Sequence, residues 1–513
     1  MFDLKGIFVF LKKKFTRQDL LLILSLVAFY FLTRLINLDR FPIFSDEGIY
    51  IRWAKVAWQD ANWRFISLTD GKQPLQTWGT IPFLKIFPDN ALFAGRLFSV
   101  ATGLLSLIGV FTLLYYLFNK KTAFVGSFLY IITPYFLFYD RMALVDSGVN
   151  AAFIWILFLS ILLVDSLRLD VALIFGLVSG LSLLAKSSVR IFLIFSLLAP
   201  FSLVNSNKPH WNKKTVFRLL FNYLFLFFIG GSIALVIYNI QRLSPFFHYV
   251  AEKNKTFIMT FDEFLKAPFS VFFHNLKNIP LFIFSEMGFI TGFIGLAGLI
   301  KLYKEKRGLF FYLSFWFFAS YFAIAFFNKV LFPRYLIFLG SILLITAAFF
   351  LAKLKKRHFI ALVTLIVLIA SYYHYTMIFD YKNVPFPQVD RGQYIEGWPA
   401  GWGIRDIMEY ARNESLKKPV LILAEGNFGM TGDVLDVFLK RGDRIIIKGY
   451  WPLGEKELEE NLKELKNYQV LVVFSHQPKD FSNKYLQLIR LFDKPGDESF
   501  IHLFQLTYPS IGL

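Results

Sequence analysis

Four short segments of the chain carry ionisable side chains beside long apolar runs, where charge is costly and usually functional. In chain order they contain Asp46 and Glu47, Asp70 and Lys72, Arg141 and Asp146, and Arg334 and Tyr335. Cationic side chains can hold a phosphate group and neutralise it as it leaves, and a carboxylate can take the proton of a hydroxyl group. Transfer of a group from a phosphate to a hydroxyl needs this combination of residue types.

Each segment also has an ordinary structural interpretation. Ser45 followed by Asp46 and Glu47 is typical of a helix N-terminus, with a serine cap and acids in the first turn. Lys72 can extend its ammonium group toward lipid headgroups. The sequence leaves both interpretations open at Asp46, because a residue can lie in a capped first turn and still do chemistry.

The flanking apolar runs predict an integral membrane protein. Of 513 residues, 56% are hydrophobic and 64 are Phe, and the mean hydropathy is +0.52. Because about 20 apolar residues span a bilayer, the runs predict about eleven transmembrane helices. Their approximate bounds are 20–36, 91–117, 122–139, 147–164, 171–187, 189–205, 218–240, 280–300, 309–328, 335–352 and 359–379.

The basic residues predict how these spans are oriented. Dense clusters lie around Lys120, Lys208, Lys301 and Lys353, all on the same side of the predicted spans. Lys and Arg accumulate in cytoplasmic loops, so the N-terminus is predicted in the cytoplasm and the C-terminal segment outside the plasma membrane. These loops also explain the net charge of +19 without a nucleic-acid partner. The absence of cysteine excludes disulfides and thiol chemistry.

Three outward segments are too long to be simple connections. Loops 37–90 and 241–279 belong to a membrane domain predicted over residues 1–380, and the second loop is predicted to contain an interfacial amphipathic helix. Residues 381–513 are predicted to form a small extracytoplasmic α/β domain, because short apolar runs alternate with helical patterns. The predicted strands are Val420–Ala424, Arg444–Lys448 and Val470–Phe474, and the predicted helices are Leu435–Lys440, Lys456–Lys466 and Asn483–Leu491.

The four charged segments, in this order, resemble motifs of the GT-C fold polytopic glycosyltransferases, specifically the superfamily of protein O-mannosyltransferases and lipid A aminoarabinose transferases. The resemblance covers about residues 20–380. Ser45–Tyr50 looks like the family's Asp-Glu motif, Asp70–Leu75 like its basic-x-Pro-Leu motif, Arg141–Asp146 like its Arg-x-x-x-x-Asp turn, and Arg334-Tyr335 like its late Arg-Tyr pair. The chain departs from both branches: Gly71 stands where the aminoarabinose branch has Glu, and Lys72 and Gln73 where the mannosyltransferase branch has His and Pro.

The resemblance implies an inverting glycosyltransferase that moves a sugar from a polyprenyl-monophosphate carrier to a hydroxyl acceptor on the extracytoplasmic face. Asp46 would be the general base, and Glu47 would support or position it. The substrate-binding residues would be Asp70, Lys72, Arg141, Asp146, Arg334 and Tyr335, with Lys72 and the two arginines on the phosphate. No cofactor is required, although Asp46, Glu47 and Asp70 could bind a divalent cation. The acceptor can be a protein, a lipid or a glycan, and membrane lipids are further partners.

Two other functional classes fit the same topology. A lipid-linked-sugar flippase or other transporter would keep the basic pocket without chemistry, and a scaffold would use the Asp46 segment only as a helix cap. The middle of the predicted spans is almost free of charge, which argues against ion coupling. The four motifs together therefore favour the transferase.

Overall fold

The computed structural model describes residues 14–203 and 213–509. Lys208 and the last residues of the predicted span 189–205 lie outside the described residues. The first part of the chain, through Phe379, is helical. Its helices are Arg17–Leu35, Ser45–Gln59, Leu75–Ile86, Ala91–Leu117, Lys120–Ile132, Pro134–Asp140, Asp146–Ser166, Leu169–Leu183, Val189–Ser196, Lys213–Asn239, Tyr249–Phe257, Phe261–Lys266, Phe272–Glu286, Ile290–Glu305, Arg307–Phe327, Ile337–Ala352 and Lys356–Phe379.

Each predicted span falls on a helical segment, but the segments differ in length. Among the described residues, 7 helices are long and apolar enough to cross a membrane, or up to 9 spans if each of two bent pairs counts as one. The first pair bends by 63° at Pro134, which cannot donate a backbone hydrogen bond. The second pair, Phe272–Glu286 with Ile290–Glu305, bends by 108°. Of the other predicted spans, Leu169–Leu183 has only 15 residues.

The helices bury different fractions of their apolar surface. The spans Asp146–Ser166 and Pro333–Ala352 are central, since 83% of each apolar window is buried inside the protein. Arg17–Leu35 and Lys356–Phe379 bury only 22% and 33% of theirs. Apolar side chains that remain exposed on such helices match a lipid environment. The predicted polytopic α-helical membrane fold is therefore confirmed.

A mixed sheet follows the membrane helices. β1 (Ile43–Phe44) from the first outward loop pairs with β2 (Ala400–Gly401). The larger sheet has the strand order β4-β3-β5-β7-β6, in which β3 is parallel to β4 and β5, and β7 is antiparallel to β5 and β6. Its strands are β3 (Val420–Glu425), β4 (Ile445–Tyr450), β5 (Gln469–Phe474), β6 (Leu486–Asp493) and β7 (Phe500–Leu506). The helices of this region are Gln388–Arg391, Ile404–Ser415, Gly432–Val437 and Glu455–Glu460.

The three predicted strands are confirmed, but the predicted helix at Asn483–Leu491 is wrong. Residues 486–493 form the edge strand β6, which pairs with β7 from Leu486 to Asp493. An edge strand is half exposed, so its apolar residues do not distinguish a strand from a helix by spacing alone. The partner β7 lies further along the chain, and only the fold brings the two strands together.

The C-terminal sheet packs directly on the segment that carries Asp46. Besides the β1–β2 pair, the Ser45 N–H donates to the carbonyl of Pro399 over 3.0 Å. Ile51 and Val434 belong to one buried apolar cluster. Gly48 permits the Asp46 segment to pack closely against Val434, because a Cβ on Gly48 would lie 2.6 Å from a methyl group of Val434. The Asp46 segment is thus fixed between the membrane helices and the sheet.

Candidate active site

Asp46 lies in the first turn of the Ser45–Gln59 helix and faces two cations. Phe44, which precedes the helix, has extended backbone, and the Ser45 hydroxyl accepts from the Met430 N–H over 3.1 Å instead of capping the helix. Lys72 Nζ lies 3.2 Å from Asp46 Oδ1, and Arg334 Nη1 lies 3.2 Å from Asp46 Oδ2. The capping interpretation of Ser45 therefore does not hold, and Asp46 is the centre of an ion-pair network.

Asp70 extends this network to a cation from the second outward loop. Its Oδ2 lies 3.5 Å from Lys72 Nζ, and its Oδ1 lies 2.6 Å from Lys253 Nζ. The intervening Gly71 has φ +65°, and a Cβ there would lie 2.4 Å from the backbone oxygen of Tyr249. Glycine is required for both reasons, which explains why this chain lacks the glutamate of the aminoarabinose branch. The close approach brings the helix that carries Lys253 against the loop.

Asp146 and Lys186 form an adjoining pair. Their charged atoms lie 3.0 Å apart, and Asp146 is almost completely buried. The Lys186 ammonium lies 4.3 Å from the centre of the Tyr335 ring, and the Arg334 guanidinium lies 5.5 Å from the same ring. Tyr335 thus stands between the two cations and joins this pair to the Asp46 network.

The combined cluster carries a small positive charge. Four cations and three carboxylates give a formal charge of 4 − 3 = +1; they are Lys72, Lys186, Lys253, Arg334, Asp46, Asp70 and Asp146. Burial raises the pKa of Asp46, but the charges of Lys72 and Arg334 outweigh it and lower that pKa to about 2. Asp46 is therefore ionised at neutral pH.

Glu47 lies behind Asp46 and is fully buried. Its Oε1 and Oε2 accept from Arg96 Nε and Nη2 over 2.8 and 2.7 Å. The backbone N–H groups of Phe44 and Ala143 also donate to it, over 3.0 and 2.7 Å. Glu47 thus joins the helix start to two other elements, a position suited to the supporting role that the sequence predicts for it.

Arg141 is not brought to the Asp46 cluster. Its guanidinium is buried and donates to four backbone oxygens at 2.8–3.2 Å. These oxygens belong to Thr33, Arg34, Ile36 and Asn37. Arg141 satisfies carbonyl groups that the end of the Arg17–Leu35 helix leaves without partners, which is a structural task.

Sequence reasoning did not assign three residues that complete this arrangement: Lys186, Lys253 and Arg96. The one sequence feature that could have identified Lys186 as a site residue is its position after an apolar run on the predicted outward side. Lys253 lies 183 residues from its partner Asp70, and no local pattern predicts that pairing. Within the described ranges, no group of three or more His, Cys, Asp or Glu side chains could hold a metal ion.

The helical fold is that of a multi-pass membrane protein, and comparisons with known proteins show that it is the GT-C fold. Residues 72–233 match the family model described as dolichyl-phosphate-mannose-protein mannosyltransferase. That segment includes Lys72, Asp146 and Lys186 but neither Asp46 nor Arg334.

Solved structures with low sequence identity share this fold. The chain is similar to ArnT from Cupriavidus metallidurans bound to undecaprenyl phosphate, with a TM-score of 0.60 and 14% identity over 94% of this chain and 97% of that chain. It is also similar to the archaeal oligosaccharyltransferase AglB from Archaeoglobus fulgidus in complex with an inhibitory peptide and a dolichol-phosphate. That match has a TM-score of 0.51 and 12% identity over 90% of this chain and 69% of that chain. No curated protein matches the chain. The predicted fold class and the predicted resemblance to the GT-C superfamily are confirmed.

Proposed function

We propose that this protein is an inverting glycosyltransferase that moves a sugar from a polyprenyl-monophosphate carrier to a hydroxyl acceptor on the extracytoplasmic face. The observation that carries the proposal is the position of Asp46 between Lys72 and Arg334. A base placed beside two cations suits a reaction in which a hydroxyl loses a proton while a phosphate leaves. The matched family model names a lipid-phosphate sugar in its description, and ArnT is bound to undecaprenyl phosphate, which supports the same donor class.

The charge of the cluster fits a phosphodiester. A sugar linked to a polyprenyl monophosphate carries one negative charge, which balances the formal +1 of the cluster. Lys72, Lys186 and Arg334 are the cations that would hold it, with Tyr335 between the last two. Arg141 is not among these cations, because its guanidinium donates to backbone oxygens instead.

The proposed reaction is a single displacement. Asp46 accepts the proton of the acceptor hydroxyl, and the acceptor oxygen bonds to the anomeric carbon on the face opposite the phosphate. The bond between that carbon and the phosphate oxygen breaks, the polyprenyl phosphate leaves, and the configuration inverts. The cations stabilise the charge that develops on the phosphate. A divalent cation is not required by this mechanism, since Lys72 and Arg334 can do its electrostatic work.

Donor binding would also activate the base. Lys72 and Arg334 keep the pKa of Asp46 at about 2, where the carboxylate is a weak proton acceptor. A phosphate that engages the same two cations draws them away from Asp46 and raises its pKa. The base therefore gains strength when the donor is in place.

The experiment that tests the proposed function uses the purified protein in lipid nanodiscs or vesicles. A panel of radiolabelled polyprenyl-phosphate sugars is offered together with a cell-envelope extract as acceptor. Release of free polyprenyl phosphate, accompanied by label on the acceptor, would establish the transferase and name the donor. Movement of an intact labelled donor across the vesicle membrane without release would instead identify a flippase.

Substitution of Lys72 tests whether this cation holds the phosphate of the donor. Lys72→Met is expected to lower kcat/KM for the donor by about a hundredfold, since one preorganised charge contact contributes about 3 kcal/mol. Removal of the cation also raises the pKa of Asp46, so activity is lost at a higher pH than in the wild type as the solution is acidified. The pH profile of kcat/KM measures both effects.

The matched control for this prediction is Lys85→Met. Lys85 is an exposed lysine on the Leu75–Ile86 helix, and its removal is expected to leave both the rate and the pH profile unchanged. A Lys72→Met protein with a wild-type kcat/KM would show that Lys72 does not hold the phosphate.

The proposed orientation places the N-terminus in the cytoplasm and the sheet outside. Because the chain has no cysteine, single cysteines can report orientation without interference. Asp262→Cys is expected to react with a membrane-impermeant maleimide on intact cells, whereas Lys355→Cys is expected to react only after lysis. The reverse pattern would invert the proposed topology.

A further inference from the structure

Trp451 follows β4 and His476 follows β5, and with Trp398 their rings form a surface cluster at the carboxyl ends of the parallel strands, which we call the crevice. The chain leaves β3 by the Gly432–Val437 helix to reach β4, then returns by the Glu455–Glu460 helix to β5 on the other side of β3. The first of these helices packs with Ile422 and the second with Leu421, and these neighbouring residues of β3 face opposite sides of the sheet. Ligands of open α/β sheets bind at such a point, where connections leave adjacent strands toward opposite faces.

Polar residues at this point are held in a fixed arrangement. Glu425, the last residue of β3, accepts from the Ser475 and His476 N–H groups over 2.7 and 2.8 Å and from Gln477 Nε2 over 2.8 Å. His476 Nδ1 lies 3.2 Å from Glu425 Oε2. This contact fixes the imidazole, and within the described part of the chain its Nε2 has no hydrogen-bond partner. Nε2 is therefore available to a ligand.

Two tryptophans flank the imidazole and are exposed. The ring centres of Trp398 and Trp451 lie 5.1 and 5.4 Å from that of His476. The two indoles are 49% and 65% exposed, which is unusual for side chains this large. Buried Lys494 donates to the backbone oxygens of Gly397 and Trp398, both over 3.2 Å, and so holds the backbone that carries the first indole.

The chemistry of this cluster suits a sugar ring. A pyranose has faces of C–H groups that stack on aromatic rings and a rim of hydroxyls that require hydrogen-bonding partners, and indoles supply apolar area with a fixed geometry. The carboxylate of Glu425 is already engaged by the 475–477 loop. The cluster thus presents aromatic faces and imidazole and amide groups rather than a concentrated charge.

The crevice is connected to the Asp46 cluster. The loop that follows Glu425 reaches Ser45, whose hydroxyl accepts from the Met430 N–H. Phe428 of this loop is 45% exposed, and its ring lies 6.0 Å from that of Trp53. The Trp53 ring in turn lies 5.6 Å from Lys72 Nζ. Phe428 and Trp53 therefore connect the loop that follows Glu425 to Lys72 of the proposed reaction centre.

We propose that the crevice formed by Trp398, Trp451 and His476 binds a carbohydrate segment of the acceptor, so that the accepting hydroxyl belongs to a glycan-bearing molecule. The inference rests on the proposed function in one respect, namely that the bound sugar belongs to the acceptor of the transfer reaction. The crevice holds one part of the glycan while another part extends past Phe428 to Asp46.

The test uses the full-length protein in nanodiscs and a panel of neutral oligosaccharides, namely mannotriose, cellotetraose and chitotetraose. Binding is measured by saturation-transfer NMR for the wild type, the double variant Trp398→Ala/Trp451→Ala, and Trp63→Ala. Trp63 is a matched control, since it is 41% exposed and stacks on Phe246 away from the crevice. At least one oligosaccharide is expected to bind the wild type and Trp63→Ala, and its Kd is expected to rise by about tenfold or more in the double variant.

A second readout separates this inference from the proposed function. Binding of undecaprenyl phosphate is expected to be the same in all three proteins, and the KM for acceptor, but not kcat, is expected to rise in the double variant. Oligosaccharide binding that depends on the two indoles would support the crevice even if no transfer were found. Equal oligosaccharide binding by the wild type and the double variant would overturn the inference. If the two substitutions changed only the insertion of the protein into vesicles, the inference would also be overturned, and the indoles would be membrane anchors.

Discussion

Asp46→Asn is expected to lower the turnover of donor by about a thousandfold, the usual contribution of a positioned general base. Asparagine keeps the shape of the side chain but cannot accept the hydroxyl proton. The measurement is acceptor-dependent release of polyprenyl phosphate at saturating donor, so that the loss is read in kcat.

The same substitution is expected to preserve or improve donor binding. Lys72 and Arg334 both lie 3.2 Å from Asp46, and removal of its charge leaves these cations more available to a phosphate. The free energy of unfolding is expected to change less than for a fully buried ion pair, since the side chains of Asp46 and Lys72 are 28% and 19% exposed. Loss of turnover with retained donor affinity is an outcome that a phosphate-binding or folding role alone would not produce.

A control on the same proposed face is Asp262→Asn, which removes an exposed carboxylate from the first turn of another helix. It is expected to have wild-type turnover. Full activity in Asp46→Asn would remove Asp46 as the base. If the donor moves across the bilayer equally well in wild type and Asp46→Asn without release, the protein is a flippase.

The sequence predicted the grouping of Asp46, Lys72 and Arg334 because all three lie in segments at the same predicted membrane face. A common membrane face limits where these side chains can lie, but it does not decide which of them meet, since Arg141 on the same predicted face contacts backbone oxygens instead. The direction in which each side chain points is harder to predict from the sequence. Adjacent residues on a helix point about 100° apart, and the sequence does not show which of two neighbouring acids faces the cations. The structure turns Asp46 toward Lys72 and Glu47 toward Arg96.

Arg141 and β6 illustrate a second limit of prediction from the sequence. The charge of Arg141 and its place beside an apolar run resemble those of Arg334, but its partners are backbone oxygens at the end of a distant helix. The apolar residues of β6 fit a helical spacing, and only pairing with β7 makes them a strand. The β6 helix prediction was wrong, and the position of Arg141 could not be predicted, because in both cases the deciding partner is remote in sequence. The outward orientation of the predicted α/β segment also gave no sign that it would share a core with the Asp46 helix.

Glu47→Gln is expected to act on stability rather than on chemistry. Glu47 and Arg96 are both completely buried, with charged atoms 2.7 Å apart. Neutralising one partner leaves the other as an uncompensated buried charge, which costs about 3–5 kcal/mol. The Phe44 and Ala143 N–H groups also depend on this carboxylate. We therefore expect a clearly lower thermal midpoint in detergent or nanodiscs, and turnover per folded molecule that falls much less than in Asp46→Asn.

Two comparisons make this prediction specific. Asp170→Asn breaks the exposed ion pair with Arg168, which contributes at most about 1 kcal/mol, so its thermal midpoint should remain near that of the wild type. Glu47→Leu/Arg96→Met removes both buried charges and should recover part of the loss. Recovery stays incomplete, because Arg96 also donates to the backbone oxygens of Leu38, Phe41 and Pro42. A Glu47→Gln protein with a wild-type midpoint and no turnover would instead place Glu47 among the reacting groups, because a supporting carboxylate cannot be lost without loosening the helix that carries Asp46.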